Sequence, residues 1–339
     1  MLFQKGMIMM KFKNITVAGS GVLGTQIAFQ IAFKGFHVTV YDINDEAIAK
    51  AKIKMAGLEQ TYKDEVDKAE INFDRSTAGL SYNTNLLPGL NKKVSDSIDQ
   101  SKHDVTSTLG RIDYATDLKS AVVHTDLVIE AIPEVVKIKH DFYKQLAAVA
   151  PQKTIFTTNS STLVPSMFAA DTGRPSKFLA LHFANEIWKN NTAEIMAHSE
   201  TDPEVFKQVI EFARAIGMVP IPVQKEQSGY ILNSILVPFL DAAEMLYLEG
   251  IGDPETIDKT WMLATGAPQG PFGILDVVGI TTAYNIIENY AATTGNHKYD
   301  QLASLLKINF IDQGKLGVSS GEGFYHYPNP KYAEPGFLE

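Results

Sequence analysis

The sequence predicts an α/β protein in which an N-terminal Rossmann-type doubly wound sheet is followed by an all-α C-terminal domain. Three observations carry this. Short β-rich runs alternate with helical patterns through the first two thirds of the chain. A glycine-rich turn, Gly19-Ser20-Gly21-Val22-Leu23-Gly24, stands between the first such run and the helix after it. Beyond Val223 the β-rich runs stop and the remaining patterns are helical. Alternation of this kind means a mostly parallel sheet covered on both faces, because parallel strands need crossovers and the crossovers are helices.

The elements follow in order. Residues 14–18 are a short apolar run closed by glycine, and residues 22–34 place Leu23, Ile27 and Ile31 at helical spacing before Gly35 ends the helix. Residues 37–41 form a second β-rich run closed by Asp42. Strand, helix and strand in so short a span make one βαβ unit. Residues 45–105 are polar and lysine-rich, helical at first, and the Asn, Ser, Thr and Gly between Asn72 and Gly89 predict a loop inserted between or within helices. β-rich runs return at 127–131, 154–158, 178–182 and 219–223, separated by helical patterns at 134–150 and 203–216. Residues 229–249, 254–264, 280–292 and 302–313 then read as helices. The predicted domains are 11–223, the nucleotide-binding sheet with its helical and loop insertion around 45–105, and 224–339, the helical domain.

Composition narrows the function. With 339 residues the chain is long enough for two cores. A net charge of -9 without a basic block argues against nucleic acid as a partner. The chain has no cysteine, which excludes disulfides, thiolate nucleophiles and Cys-ligated zinc, and no metal site is read. The first ten residues are too short and too weakly apolar for a signal peptide. The apolar stretch 231–248 contains Asn233, Pro238, Asp241 and Glu244, so it reads as a buried helix and not a membrane span. The expectation is a cytoplasmic protein without a membrane partner, a homodimer through helices as apolar as 229–248.

The pattern Gly19-x-Gly21-x-x-Gly24 carries weight through its setting, after a strand and at the opening of a helix. Gly19 permits the tight turn, Gly21 lets the backbone approach a pyrophosphate, and Gly24 lets helix and strand pack closely. The helix N-terminus, starting at Val22 and Leu23, offers free N–H groups and a positive dipole to the phosphates. Asp42, eighteen positions after Gly24 (42−24), suits the ribose hydroxyls of NAD and would repel the 2′-phosphate of NADP. A second glycine-rich tract, 314–323, follows a helical pattern and reads as a turn.

Three polar residues stand out further on: Ser161, His182 and Glu194. His182 ends an apolar run at the sheet's C-terminal edge, where doubly wound folds bind ligands. Taken singly, any one of the 8 histidines is more often structural. The segment as a whole, Asn159-Ser160-Ser161-Thr162-Leu163, Leu181-His182-Phe183-Ala184-Asn185 and then Glu194, resembles the 3-hydroxyacyl-CoA dehydrogenase family. So do Glu130-Ala131-Ile132-Pro133-Glu134, Ser228-Gly229-Tyr230-Ile231-Leu232-Asn233, Gly270-Pro271-Phe272, Gly314-Lys315-Leu316-Gly317 and Gly321-Glu322-Gly323-Phe324-Tyr325. The resemblance spans about Asn14 to Tyr327. It implies hydride exchange between NAD and the alcohol of a short-chain, CoA-linked 3-hydroxyacyl group, with His182 as general acid and base and Glu194 orienting it. It implies that Ser161 and Asn233 bind the reacting oxygen and the acyl group, and that Glu134, Lys139 and Asn185 lie along the nicotinamide half of NAD. Taken singly, Glu134 and Lys139 read as a solvated pair on a helix face.

The chain departs from the family in three places. Ala184, Asn185, Glu186, Ile187, Trp188, Lys189, Asn190 and Asn191 replace the usual segment after His182-Phe183, and Trp188, Asn190 and Asn191 suggest an altered acyl pocket. Ser319 stands where many members carry a lysine, and the region 72–99 is longer than usual. Lys50, Lys52, Lys54 and Lys63 are candidates for the CoA phosphates, or a solvated helix face. Other readings are an NADH-dependent reductase of CoA-free keto or diketo acids or esters, a sugar-acid dehydrogenase, and, more remotely, a non-catalytic crystallin-like binding protein. A Ser161–His182–Glu194 hydrolase lacks the G-x-S-x-G elbow and leaves the glycine turn unexplained.

Overall fold

The structure, a computed structural model, describes residues 12–75 and 94–339. The strands are β1 (Asn14–Ala18), β2 (His37–Tyr41), β3 (Ile112–Ala115), β4 (Leu127–Glu130), β5 (Ile155–Thr158), β6 (Phe178–Phe183), β7 (Thr192–Met196) and β8 (Val219–Val223). Among the described residues they form one sheet in the order β3-β2-β1-β4-β5-β6-β7-β8. Pairing is parallel throughout except between β6 and β7. The reversal at β1, with β2 on one side and β4 on the other, makes the sheet doubly wound and puts the glycine turn at the switch point.

Both faces are covered, which is why β4 and β5 are buried along their whole length. On one face α1 (Val22–Phe33), α2 (Asp45–Arg75) and α6 (Pro203–Ala215) bring Phe29, Tyr62, Val66 and Phe212 into the larger core. On the other, α4 (Leu118–Val122) and α5 (Val136–Val149) pack Val122, Phe142, Tyr143 and Leu146 with Phe156, Phe168 and Phe178. Pro220 and Pro222 in β8 lack N–H donors, and β8 is the last strand of the sheet, where missing donors are tolerated.

Two strands were not predicted. β3 is interrupted by the exposed Asp113 and buries only Ile112, and β7 carries a buried Glu194 in its middle, so neither shows an uninterrupted apolar run. Of the predicted insertion, residues 72–75 belong to α2 and residues 94–99 to α3 (Val94–Thr108), while 76–93 lie outside the described residues.

The chain divides into two compact units, 1–231 and 232–339. In the second, α7 (Leu232–Leu248), α8 (Pro254–Thr265), α9 (Pro271–Val278), α10 (Ile280–Thr294) and α11 (His297–Asn309) bury Leu240, Phe272, Leu275, Ile287, Leu302 and Leu306. Helix α9 was not predicted because its cap is not local. Gly270 supplies no side chain, and Asp258 of α8 accepts the free N–H groups of Phe272 (2.8 Å) and Gly273 (2.9 Å) instead. Among the described residues no helix is long and apolar enough to cross a membrane.

Candidate active site

The glycine turn has the shape the sequence predicts. Gly19 has φ 104°, and a Cβ there would lie 2.3 Å from the Ala131 carbonyl oxygen; one at Gly24 would lie 2.0 Å from that of Gly19. A Cβ at Gly21 would meet nothing within 4 Å, so this side of the turn is open. Helix α1 begins there without a side-chain cap, and Val22 is exposed, so the free N–H groups of the first turn face an open approach. At the tip of β2, Asp42 accepts from Ser20 N (2.8 Å), Ser20 Oγ (2.5 Å) and Ile43 N (2.7 Å). A carboxylate has about four acceptor positions, so one is left for a ribose hydroxyl. An open glycine cradle, an uncapped helix and an acid at this distance fit a dinucleotide.

Beside the turn lies a charged network. Lys139 is 1% exposed and does not form the solvated pair that its spacing from Glu134 suggests. Its ammonium reaches Glu130 Oε1 at 2.5 Å and Glu134 Oε2 at 3.3 Å. Glu130, at the end of β4 and fully buried, also accepts from Ile132 N (2.9 Å), Tyr143 Oη (2.8 Å) and Thr158 Oγ1 (2.8 Å). Four donors for two oxygens satisfy a carboxylate that burial would otherwise penalise. Glu134 accepts from Thr162 N and Thr162 Oγ1, both at 3.0 Å, and from the Ser160 hydroxyl. Burial pushes its carboxyl up, but the Ser160 bond, the Lys139 charge and the Thr162 donors outweigh this and hold it below the usual carboxylate value. The network therefore ties the loop of Ser160, Ser161 and Thr162 to strand β4.

Ser161, His182 and Glu194 come together. β6 and β7 pair antiparallel with His182 directly opposite Glu194, so both side chains leave the same face. His182 Nδ1 lies 3.1 Å from Glu194 Oε2, and His182 Nε2 lies 3.2 Å from Ser161 Oγ. Glu194 Oε1 accepts from Ile231 N at 2.9 Å, and Asn159 Oδ1 accepts from Phe183 N at 2.9 Å, which fixes the strand end beyond His182. Both dyad members are buried. An imidazole held on one side by a carboxylate, with its other nitrogen beside a hydroxyl, can take a proton from an alcohol or return it to a ketone.

Other predicted residues fall elsewhere. Asn185 is exposed and its carbonyl accepts from Asn190 Nδ2 at 2.8 Å. Asn233 is the second residue of α7 in the second unit, and Ser319 is an exposed residue of that unit. Trp188 is not the pocket residue that its place after His182-Phe183 suggests. It turns inward to the larger core with its ring 5.9 Å from that of Tyr62, because the loop before it is drawn in by Gln26 Oε1, which accepts from Glu186 N at 2.9 Å. The lysines of α2 also have other partners: Lys54 donates to the Ser20 carbonyl (3.1 Å), Lys50 pairs with Glu46, Lys63 with Glu59, and Lys52 lies over Tyr114. Sequence reasoning singled out neither Glu130 nor Ser160 for a role, although both stand inside motifs it quoted.

Hydride exchange at a secondary alcohol is the chemistry that a dinucleotide cradle and a buried acid–base dyad share, and it places the chain among the NAD-dependent oxidoreductases of CH–OH groups. Comparison with known proteins makes this specific. Residues 14–227 match the family described as 3-hydroxyacyl-CoA dehydrogenase, NAD binding domain, and residues 229–327 match its C-terminal domain. The chain belongs to the 3-hydroxyacyl-CoA dehydrogenase family. It is 32% identical over 315 residues to the mitochondrial hydroxyacyl-coenzyme A dehydrogenase of Homo sapiens, covering 93% of this chain and 91% of that one. It is 31% identical over 318 residues to a probable 3-hydroxybutyryl-CoA dehydrogenase of Bacillus subtilis, covering 94% and 98%. Among solved structures, a diketoreductase that acts on dicarbonyl compounds aligns with TM-score 0.77 and 51% identity, covering 93% of this chain and 99% of that one. The (S)-3-hydroxybutyryl-CoA dehydrogenase of Ralstonia eutropha aligns with TM-score 0.70 and 26% identity, covering 94% and 100%.

Proposed function

We propose that the enzyme interconverts a short-chain 3-hydroxyacyl-CoA and its 3-ketoacyl form, with His182 as the general acid and base. The carrying observation is the line Ser161–His182–Glu194, with contacts of 3.2 and 3.1 Å, in which the half-buried Ser161 stands before a buried His182–Glu194 pair. In oxidation, His182 Nε2 takes the substrate's hydroxyl proton; in reduction it returns the proton to the carbonyl oxygen. Glu194 holds Nδ1 and stabilises the positive imidazolium, and Ser161 hydrogen-bonds the reacting oxygen. Asn233 orients the acyl group. NAD, when bound, supplies the hydride acceptor in one direction and the donor in the other. Gly19, Gly21, Val22, Leu23 and Gly24 would hold its pyrophosphate and Asp42 its ribose, while Glu134 and Asn185 would line the nicotinamide half and the buried Lys139 would hold Glu134 in place.

The relatives in Bacillus subtilis and Ralstonia eutropha, both named for a 3-hydroxybutyryl-CoA, support a four-carbon acyl group. A second reading, reduction of CoA-free keto or diketo compounds, is favoured by the 51% identity to a diketoreductase. Initial rates with NADH over acetoacetyl-CoA, a longer 3-ketoacyl-CoA, ethyl acetoacetate and a 3,5-diketo ester separate the two. The first reading expects the highest kcat/KM for acetoacetyl-CoA. A higher value for the diketo ester would replace it by the second.

The working form is a homodimer in the cytoplasm. The absence of cysteine fits a reducing compartment. Ile235, Leu246, Trp261 and Leu263 of the helical unit are exposed apolar side chains, which a second copy would cover in part. Sedimentation at micromolar concentration is expected to give twice the chain mass, and a monomer there contradicts the dimer.

A further inference from the structure

Gly229 and Tyr230 both adopt left-handed backbone, with φ 80° and 54°. Glycine does this freely; a tyrosine rarely does and needs surroundings that hold it there. The conformation has two effects at the dyad. It directs the N–H of Ile231 onto Glu194 Oε1 at 2.9 Å. It also lays the Tyr230 ring flat on the His182 imidazole, with centroids 4.6 Å apart and planes 18° apart. Tyr230 is 1% exposed and packs with Ala180, Met196 and Val223, so the ring is held in place.

We propose that Tyr230 is a positioning residue for the reaction: its ring face fixes the plane of His182 and favours the positively charged imidazole that forms during turnover. The inference rests on the reading of His182 as acid and base. The face of an aromatic ring carries negative charge density and attracts a cation lying over it. Burial first, then the charges of Glu134, Glu194, Glu130 and Glu226, push the Tyr230 phenol far above its usual value, so the stacked ring stays neutral. Glu194 from β7 is the carboxylate that touches the imidazole, and Ser161 is the uncharged group on its other nitrogen.

The test uses the full-length enzyme with Phe, 4-fluoro-, difluoro- and trifluorophenylalanine at position 230, beside Tyr230→Leu and His182→Ala. Fluorine drains charge from the ring face while keeping its shape, so the series answers even where Tyr230→Leu fails to fold. The readout is kcat/KM for ketone reduction against pH, with the KM for NADH. Tyr230→Phe is expected to keep the native profile. Each added fluorine is expected to move the alkaline limb to lower pH, by about half a unit to one unit across the series, with KM for NADH unchanged. A limb that stays in place across the series, while His182→Ala shows the expected loss of turnover, overturns the role of Tyr230 alone. Full turnover by His182→Ala removes the acid–base reading and this inference with it.

Discussion

Replacing His182 by alanine lowers kcat by about 10²- to 10⁴-fold, the usual cost of losing a positioned acid–base group, while NADH affinity stays near native. The two effects separate because they belong to different strands. The cofactor cradle is built from β1, α1 and Asp42 at the end of β2, whereas His182 stands on β6 and touches Ser161 and Glu194. Alanine leaves Ser161 and the Glu194–Ile231 contact in place, so the loss falls on proton transfer. Steady-state kcat and a fluorescence titration with NADH measure the two quantities independently. Loss of NADH binding alongside kcat would mean that the imidazole supports the cradle.

Glu130→Leu is expected to destabilise the protein by about 3–5 kcal/mol, the scale for removing one partner of a buried ion pair. Lys139 is left in a position 1% exposed without its nearest carboxylate, and its remaining counter-ion, Glu134, is 3.3 Å away with a side chain 38% exposed. Tyr143 and Thr158 lose their acceptor in the same step. Adding Lys139→Met removes the stranded charge and is expected to restore part of the loss, which a double-mutant cycle in urea resolves. A loss below about 1 kcal/mol for Glu130→Leu, the range of exposed pairs, would contradict the buried-pair account.

Much of this was legible in the chain, and the parts that were not share a cause. The first βαβ unit could be read directly, since β1, the glycine turn, α1, β2 and Asp42 are consecutive and each is shaped by local chemistry. The change from strands to helices after Val223 was visible for the same reason. Elements stabilised from a distance were hidden. β7 escaped notice because Glu194, a charged residue in a buried strand, is accommodated by His182 and by Ile231 N. His182 and Glu194 stand 12 positions apart in the chain (194−182), but that they pair across antiparallel strands emerges only from the sheet register. Lys139 looked solvated because its partner Glu130 arrives from the end of a strand and not from its own helix. Trp188 looked like a pocket residue because its departure from the family was visible, whereas the inward pull of Gln26 and the ring of Tyr62 were not.

The central claim is that His182 and Glu194, facing each other across β6 and β7, work as one acid–base unit in an NAD-linked alcohol dehydrogenation. The most direct test is a double-mutant cycle on kcat with His182→Ala, Glu194→Gln and the pair, using acetoacetyl-CoA and NADH. Residues that act as a unit lose their effects together. Glu194→Gln is expected to slow the native enzyme strongly and to add almost nothing once His182 is alanine. Multiplicative losses in the double variant, or near-native turnover in His182→Ala, would contradict it.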